Sequence, residues 1–139
     1  MPIPHWVIDA NVLVSAAITP QGVCDQVLQS AIGGMFVPAW DNKILLEYRE
    51  VLSRPKFRLT KAAVRALLAA LPSSGFHPAT SCKERELPDP DDWPFVAVAL
   101  ATTDKTIVTG NPSHYPEAAM KTIGVEILSP RQALDRLEH

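Results

Sequence analysis

Three short segments of this 139-residue chain place carboxylates where they can do chemistry. Asp9 ends the apolar run Trp6-Val7-Ile8, Glu47 borders the stripe Ile44, Tyr48, Val51 and Leu52, and Asp89, Asp91 and Asp92 crowd the start of another apolar run. Each acid alone has an ordinary role. A strand-end Asp caps helices, a helix-flank Glu is solvated, and acids before a helix favour its dipole. The combination is harder to dismiss, because carboxylates converging beside a low-dielectric core repel one another unless a cation offsets them. Hard oxygen donors suit Mg²⁺ or Mn²⁺, with metal–oxygen distances of roughly 2.1 Å for Mg²⁺. An ion so held activates water and stabilises charge on a phosphate under attack.

Other chemistries find less support. His5, His77, His114 and His139 lie far apart in sequence, none three or four residues from another or from a cysteine, which argues against zinc. There is no G-x-S-x-G elbow, Walker A loop or G-x-G-x-x-G, and Gly33-Gly34 is explained as a helix stop. Cys24 and Cys82 lack metal-ligand spacing and read as reduced thiols. Net charge is −2, which does not suit a protein that coats nucleic acid. Yet no acid falls between Glu50 and Glu84, while Arg54, Lys56, Arg58, Lys61, Arg65 and Lys83 do. That stretch is either a solvated helix face or a field that holds a polyanion by its phosphates.

Positioning these groups requires a scaffold. Composition, 47% hydrophobic and 20% charged, is that of an ordinary globular chain, and the length suits one domain, 1–139. The start lacks the pattern of a signal peptide, and the longest apolar run, Phe95 to Ala101, is far short of the ~20 residues of a membrane span. A cytoplasmic location is the default expectation. Trp6-Val7-Ile8 reads as a buried strand, leading into a short helix or loop through Ala17. Helical spacing covers Gly22 to Ile32; Met35-Phe36-Val37 is a strand closed by Pro38. Asp41 caps a helix to about Leu52, and Thr60 caps another from Lys61 to Leu71. A weak strand follows near Phe76, then an acidic loop from Glu84 to Asp92. Asp92 heads a buried helix, Trp93 to Thr102; Thr106–Thr109 and Val125–Leu128 are strands, and Ser129-Pro130 starts the last helix. Short apolar strands alternating with helices indicate a parallel sheet covered on both faces, with ligands outside the carboxyl ends of the strands.

Val7-Ile8-Asp9-Ala10-Asn11-Val12-Leu13-Val14-Ser15-Ala16 resembles the opening motif of PIN domains. The run Ile44 to Leu52, followed by Arg54-Pro55-Lys56-Phe57, is similar to the second motif, with Glu47 as its acid. Pro88-Asp89-Pro90-Asp91-Asp92-Trp93-Pro94 and the alanine-rich segment after it resemble the third, Asp92 matching best. Ile107-Val108-Thr109-Gly110-Asn111 occupies the fourth, with Asn111 where the family usually has an acid. The Glu47-Tyr48-Arg49-Glu50-Val51-Leu52 run and the Arg-Pro-Lys-Phe after it look most like VapC-like toxins of bacterial toxin–antitoxin systems.

The resemblance implies a three-layer α/β/α sandwich with a mostly parallel four- or five-stranded sheet. It also implies a metal-dependent ribonuclease, the toxin of such a pair, with RNA as substrate, a small antitoxin as partner and a homodimer as the assembly. Asp9, Glu47, Asp92 and Asn111 would be catalytic. Asp9, Glu47 and Asp92, assisted by Asp89 or Asp91, would hold Mg²⁺ or Mn²⁺. Asn11 and Ser15 would support the site, and Arg49, Arg54, Lys56, Arg58, Lys61 and Arg65 would hold the RNA backbone. Asn111 brings no charge, so one alternative is a weak or inactive scaffold that binds RNA or a protein without cutting. A phosphatase on a similar sheet is the other.

Overall fold

The computed structural model describes residues 2–79 and 87–138, so Cys82, Lys83, His139 and the first acids of the polar loop lie outside the described residues. β1 (His5–Ile8) is buried from Trp6 onward, as a central strand of apolar residues must be. α1 (Ala10–Ile18) follows directly after Asp9, and α2 (Val23–Ile32) packs against it. Gly34, at φ 84°, takes the left-handed conformation that turns the chain out of α2.

β2 comprises Val37–Ala39, two residues later than Met35–Val37, and Pro38 lies inside it rather than ending it. The reason is its position: β2 stands at one side of the sheet, next to β1 alone among the strands. Alternate residues of a parallel strand point away from the partner, so a missing N–H at Pro38 costs the pairing nothing. The weak strand at Phe76 reduces to one parallel bridge with Trp40. Gly75 lets that segment approach, since a Cβ there would lie 2.0 Å from the Pro38 carbonyl oxygen.

α3 (Asn42–Leu52) is capped by Asp41, which accepts from the Ile44 N–H at 2.9 Å; α4 (Lys61–Ala69) is capped by Thr60 and stops two residues before Leu71. α5 (Trp93–Ala101) is apolar nearly all round and packs on β1 and β3 (Thr106–Val108). The stretch after Asn111, for which the sequence suggested no element, contains a short helix, α6 (Glu117–Ile123). β4 (Glu126–Leu128) leads into α7 (Pro130–Leu137), which begins with a capping box between Ser129 and Gln132.

Among the described residues the four strands form one all-parallel sheet in the order β2-β1-β3-β4, with helices on both faces. This is the expected α/β/α sandwich at the lower of the two expected strand counts. The chain runs from β1 to β2 on one side and later enters β3 on the other. A crevice therefore opens where β1 and β3 end, the usual ligand position in such sheets.

Candidate metal centre

Asp9 stands at that crevice. It precedes α1, yet its side chain makes no capping bond. Instead Oδ2 accepts from Thr109 Oγ1 at 2.8 Å, Tyr115 O–H at 3.1 Å and Asn11 Nδ2 at 3.2 Å. Its backbone N–H donates to the Val108 carbonyl at 2.9 Å, so the ends of β1 and β3 are stitched together at this residue. Asn11 also accepts from the Gly110 N–H at 3.1 Å, which ties the loop after β3 to α1. Burial pushes the Asp9 carboxyl above its usual range, against the pull of Thr109, Tyr115, the Ala10 amide and His114. Burial and the Asp9 charge in turn hold the Tyr115 phenol up, so Tyr115 remains a donor.

Asp92 comes from the other side of the crevice. Capping of the turn before α5 falls to Asp89, whose Oδ1 accepts from the Asp91 N–H at 2.9 Å, and the Asp92 side chain caps nothing. Asp92 is only 8% exposed, and its Oδ2 has no hydrogen-bond partner among the described residues. His114 Nδ1 stands 3.2 Å from that oxygen, within ion-pair range but not aligned as a hydrogen bond. Burial first, and then the Asp9 charge, push the Asp92 carboxyl up to about 7; His114 opposes this, and Asp89 and Glu47 add to it. One ligating atom each from Asp9, Asp92 and His114 lie within 4.8 Å of one another.

Glu47 reaches the crevice because α3 is pinned to β1. The Tyr48 hydroxyl donates to the carbonyl of Ile8, the residue before Asp9. Glu47 is half-buried and shares a cavity of about 290 Å³ with Asp9, Asp89, Asp92, Asn11 and Ser15. Its carboxyl is raised by burial first, then by Glu50 and Asp91, with Arg54 opposing. The capping alternatives thus separate: Asp41, Thr60 and Asp89 cap, while Asp9 and Asp92 do not.

A profile of the PIN domain family matches residues 5–113. The chain belongs to the PIN domain family. No curated protein and no solved structure matches it. PIN domains are generally metal-dependent nucleases that act on RNA, and this PIN domain has a fitting donor set. A buried, partnerless carboxylate oxygen beside a second buried carboxylate is an arrangement that a divalent ion satisfies.

Not every expected residue converges in the PIN domain. Asp91 is exposed and does not line the cavity. Asn111 is exposed as well, and its side chain turns to His114 Nε2, 2.9 Å away, and accepts from Ser113 Oγ at 2.8 Å. Arg49, Arg54, Lys56, Arg58, Lys61 and Arg65 are all exposed; Arg54 alone of these lines the cavity. Thr109, Tyr115 and His114 were missed as site residues. His114 was set aside on its distance from other histidines and cysteines, whereas its position three residues past the fourth motif was the usable signal.

Proposed function

We propose that this PIN domain is a ribonuclease that hydrolyses RNA phosphodiester bonds with Mg²⁺ or Mn²⁺. The observation that carries this is the pair Asp9 and Asp92, buried together with an unpartnered oxygen between the elements that position them. Asp9 and Asp92 would hold the ion, with Glu47 and Asp89 on the cavity wall and Asp91 outside it. The bound ion would supply an activated water and charge stabilisation at phosphorus.

The protein's own side chains supply the rest. Thr109, Tyr115 and Asn11 hold Asp9 in one orientation, a precondition for catalysis that depends on small distances. Glu47, half-buried on the cavity wall with its carboxyl raised mainly by burial, adds a third carboxylate beside Asp9 and Asp92. Among the described residues Arg54 is the cation that lines the cavity, and its Nη2 makes only a 3.4 Å contact, with exposed Glu50. It is free to take a phosphate oxygen, while Arg49, Lys56, Arg58, Lys61 and Arg65 extend the positive surface along which RNA would lie. The role as toxin of a toxin–antitoxin pair, with a small antitoxin protein and a homodimer, is supported by the resemblance of Glu47–Leu52 and Arg54–Phe57 to VapC-like toxins.

Asn111 favours a second reading, a scaffold that binds RNA or a protein without cutting, because the side chain at the fourth motif is neutral and turned to His114. Incubation of a mixed RNA pool with Mn²⁺ or Mg²⁺, followed by sequencing of cut ends, separates the two. The nuclease reading expects discrete metal-dependent ends that disappear in a folded Asp9→Asn variant. Undiminished cleavage by that variant refutes the role of Asp9, and no cleavage by the unmodified chain favours the scaffold.

A further inference from the structure

We propose that His114 is itself a ligand of the ion, replacing the carboxylate that Asn111 does not provide. Its imidazole turns the site's preference from Mg²⁺ toward Mn²⁺, Co²⁺ and Zn²⁺. This rests on the metal-dependent reading above and assigns the site a ligand and a class of ion.

Geometry comes first. Two adjacent donors on one ion, each at roughly 2.1 Å, stand about 3 Å apart. His114 Nδ1 and Asp92 Oδ2 are 3.2 Å apart, and the Asp9 carboxylate completes a group within 4.8 Å. The Asp92 oxygen facing His114 is buried and has no hydrogen bond among the described residues. An imidazole that merely neutralised Asp92 would be expected to donate to it in line, and this contact is not so aligned.

Asn111 then has a use. A ligating imidazole is neutral and keeps its proton on the nitrogen remote from the ion, where a polar partner fixes the ring. Here the remote nitrogen is Nε2, and the Asn111 amide lies 2.9 Å from it. Ser113 Oγ, 2.8 Å from the other end of that amide, can donate or accept. In the structure the amide nitrogen faces Nε2 and the amide oxygen accepts from Ser113. Turned over by 180° in the same place, the amide presents its oxygen to Nε2–H while Ser113 accepts from its NH₂. Asn111 is a positioning residue in this scheme and needs no charge. Imidazole nitrogen is a favoured donor for first-row transition ions, whereas Mg²⁺ prefers oxygen and sheds water reluctantly. Exchanging one carboxylate for one imidazole moves selectivity in that direction.

The test is binding, independent of turnover. Isothermal titration of the full chain with MnCl₂, ZnCl₂ and MgCl₂ should show Mn²⁺ and Zn²⁺ bound at least about tenfold more tightly than Mg²⁺. His114→Ala should weaken Mn²⁺ and Zn²⁺ binding about tenfold or more and Mg²⁺ by less than about threefold; Asn111→Ala should give a smaller loss of the same pattern. In the unmodified chain, the His114 Nδ1 nitrogen resonance should shift on adding Zn²⁺ while Nε2 stays protonated. Equal losses for all three ions, unchanged affinities, or an unmoved Nδ1 resonance each overturn the assignment. If the unmodified chain binds no divalent ion, or Asp9→Asn binds as tightly as the parent, the metal-dependent reading itself falls. Failure confined to the His114 and Asn111 variants leaves that reading standing.

Discussion

Asp92 is costly to the folded chain when no ion is present, and that cost has a pH signature. Burial, and after it the Asp9 charge, pushes its carboxyl up from 3.8 to about 7. A carboxyl raised in the folded state favours folding while protonated, so this contribution is complete below about 4 and is lost as pH rises through 7. The difference amounts to at most about 4 kcal/mol, and Asp9 acts in the same direction. Thermal unfolding of the metal-free chain should therefore show Tm falling from pH 5 to pH 8. Mn²⁺ should restore it at pH 8 and do little at pH 5, and Asp92→Asn should flatten the profile. A Tm that climbs with pH would contradict the placement of Asp92. Asp9 was readable because an apolar run ends on it; Asp92 was readable from its register before an alanine-rich helix. His114 was not, because its partners Asp9 and Asp92 lie on other segments and only folding brings them together.

Elements deliver these residues, and the decisive contact is the one between α3 and β1. The Tyr48 hydroxyl donates to the Ile8 carbonyl in the fully buried interior, one residue from Asp9 on the strand and from Glu47 on the helix. Tyr48→Phe should leave that carbonyl unpaired at a cost of about 1–3 kcal/mol, measurable by urea unfolding. Because the same contact sets Glu47, nuclease activity should fall further than a peripheral change of equal ΔΔG; parity between the two would deny α3 a positioning role. Periodicity predicted α3 well, since Ile44, Tyr48 and Leu52 are all buried. It could not tell that Tyr48 contributes its hydroxyl as well as its ring. α6 escaped because seven residues carry too little periodicity, and Pro38 misled because a strand's place in the sheet is not written in its own residues.

Across the whole molecule, a net charge of −2 hides opposed regions: a carboxylate cavity, and a surface of exposed arginines and lysines along α3, α4 and the turn between them. Binding of RNA through that surface should weaken steeply with salt. Replacing Arg54, Lys56 and Arg58 together should lower the slope of log K against log salt by about 2, at about 0.7 per phosphate contact for single strands. Filter binding of Asp9→Asn, which keeps the RNA intact, would measure it; an unchanged slope would remove those residues from the interface. The sandwich itself was legible, since alternating short apolar strands and helices admit few arrangements. The pairing of the positive surface with one wall of the cavity was not, because it depends on Arg54 alone facing inward.

The lattice of bonds around Asp9 has a consequence for control. Thr109, Tyr115 and Asn11 grip this side chain by a single oxygen, and its amide is tied to Val108, so moving it means breaking several bonds at once. Such a centre resists being switched off by gentle distortion from afar. On the metal-dependent reading, whatever silences it must plug the mouth or carry off the ion.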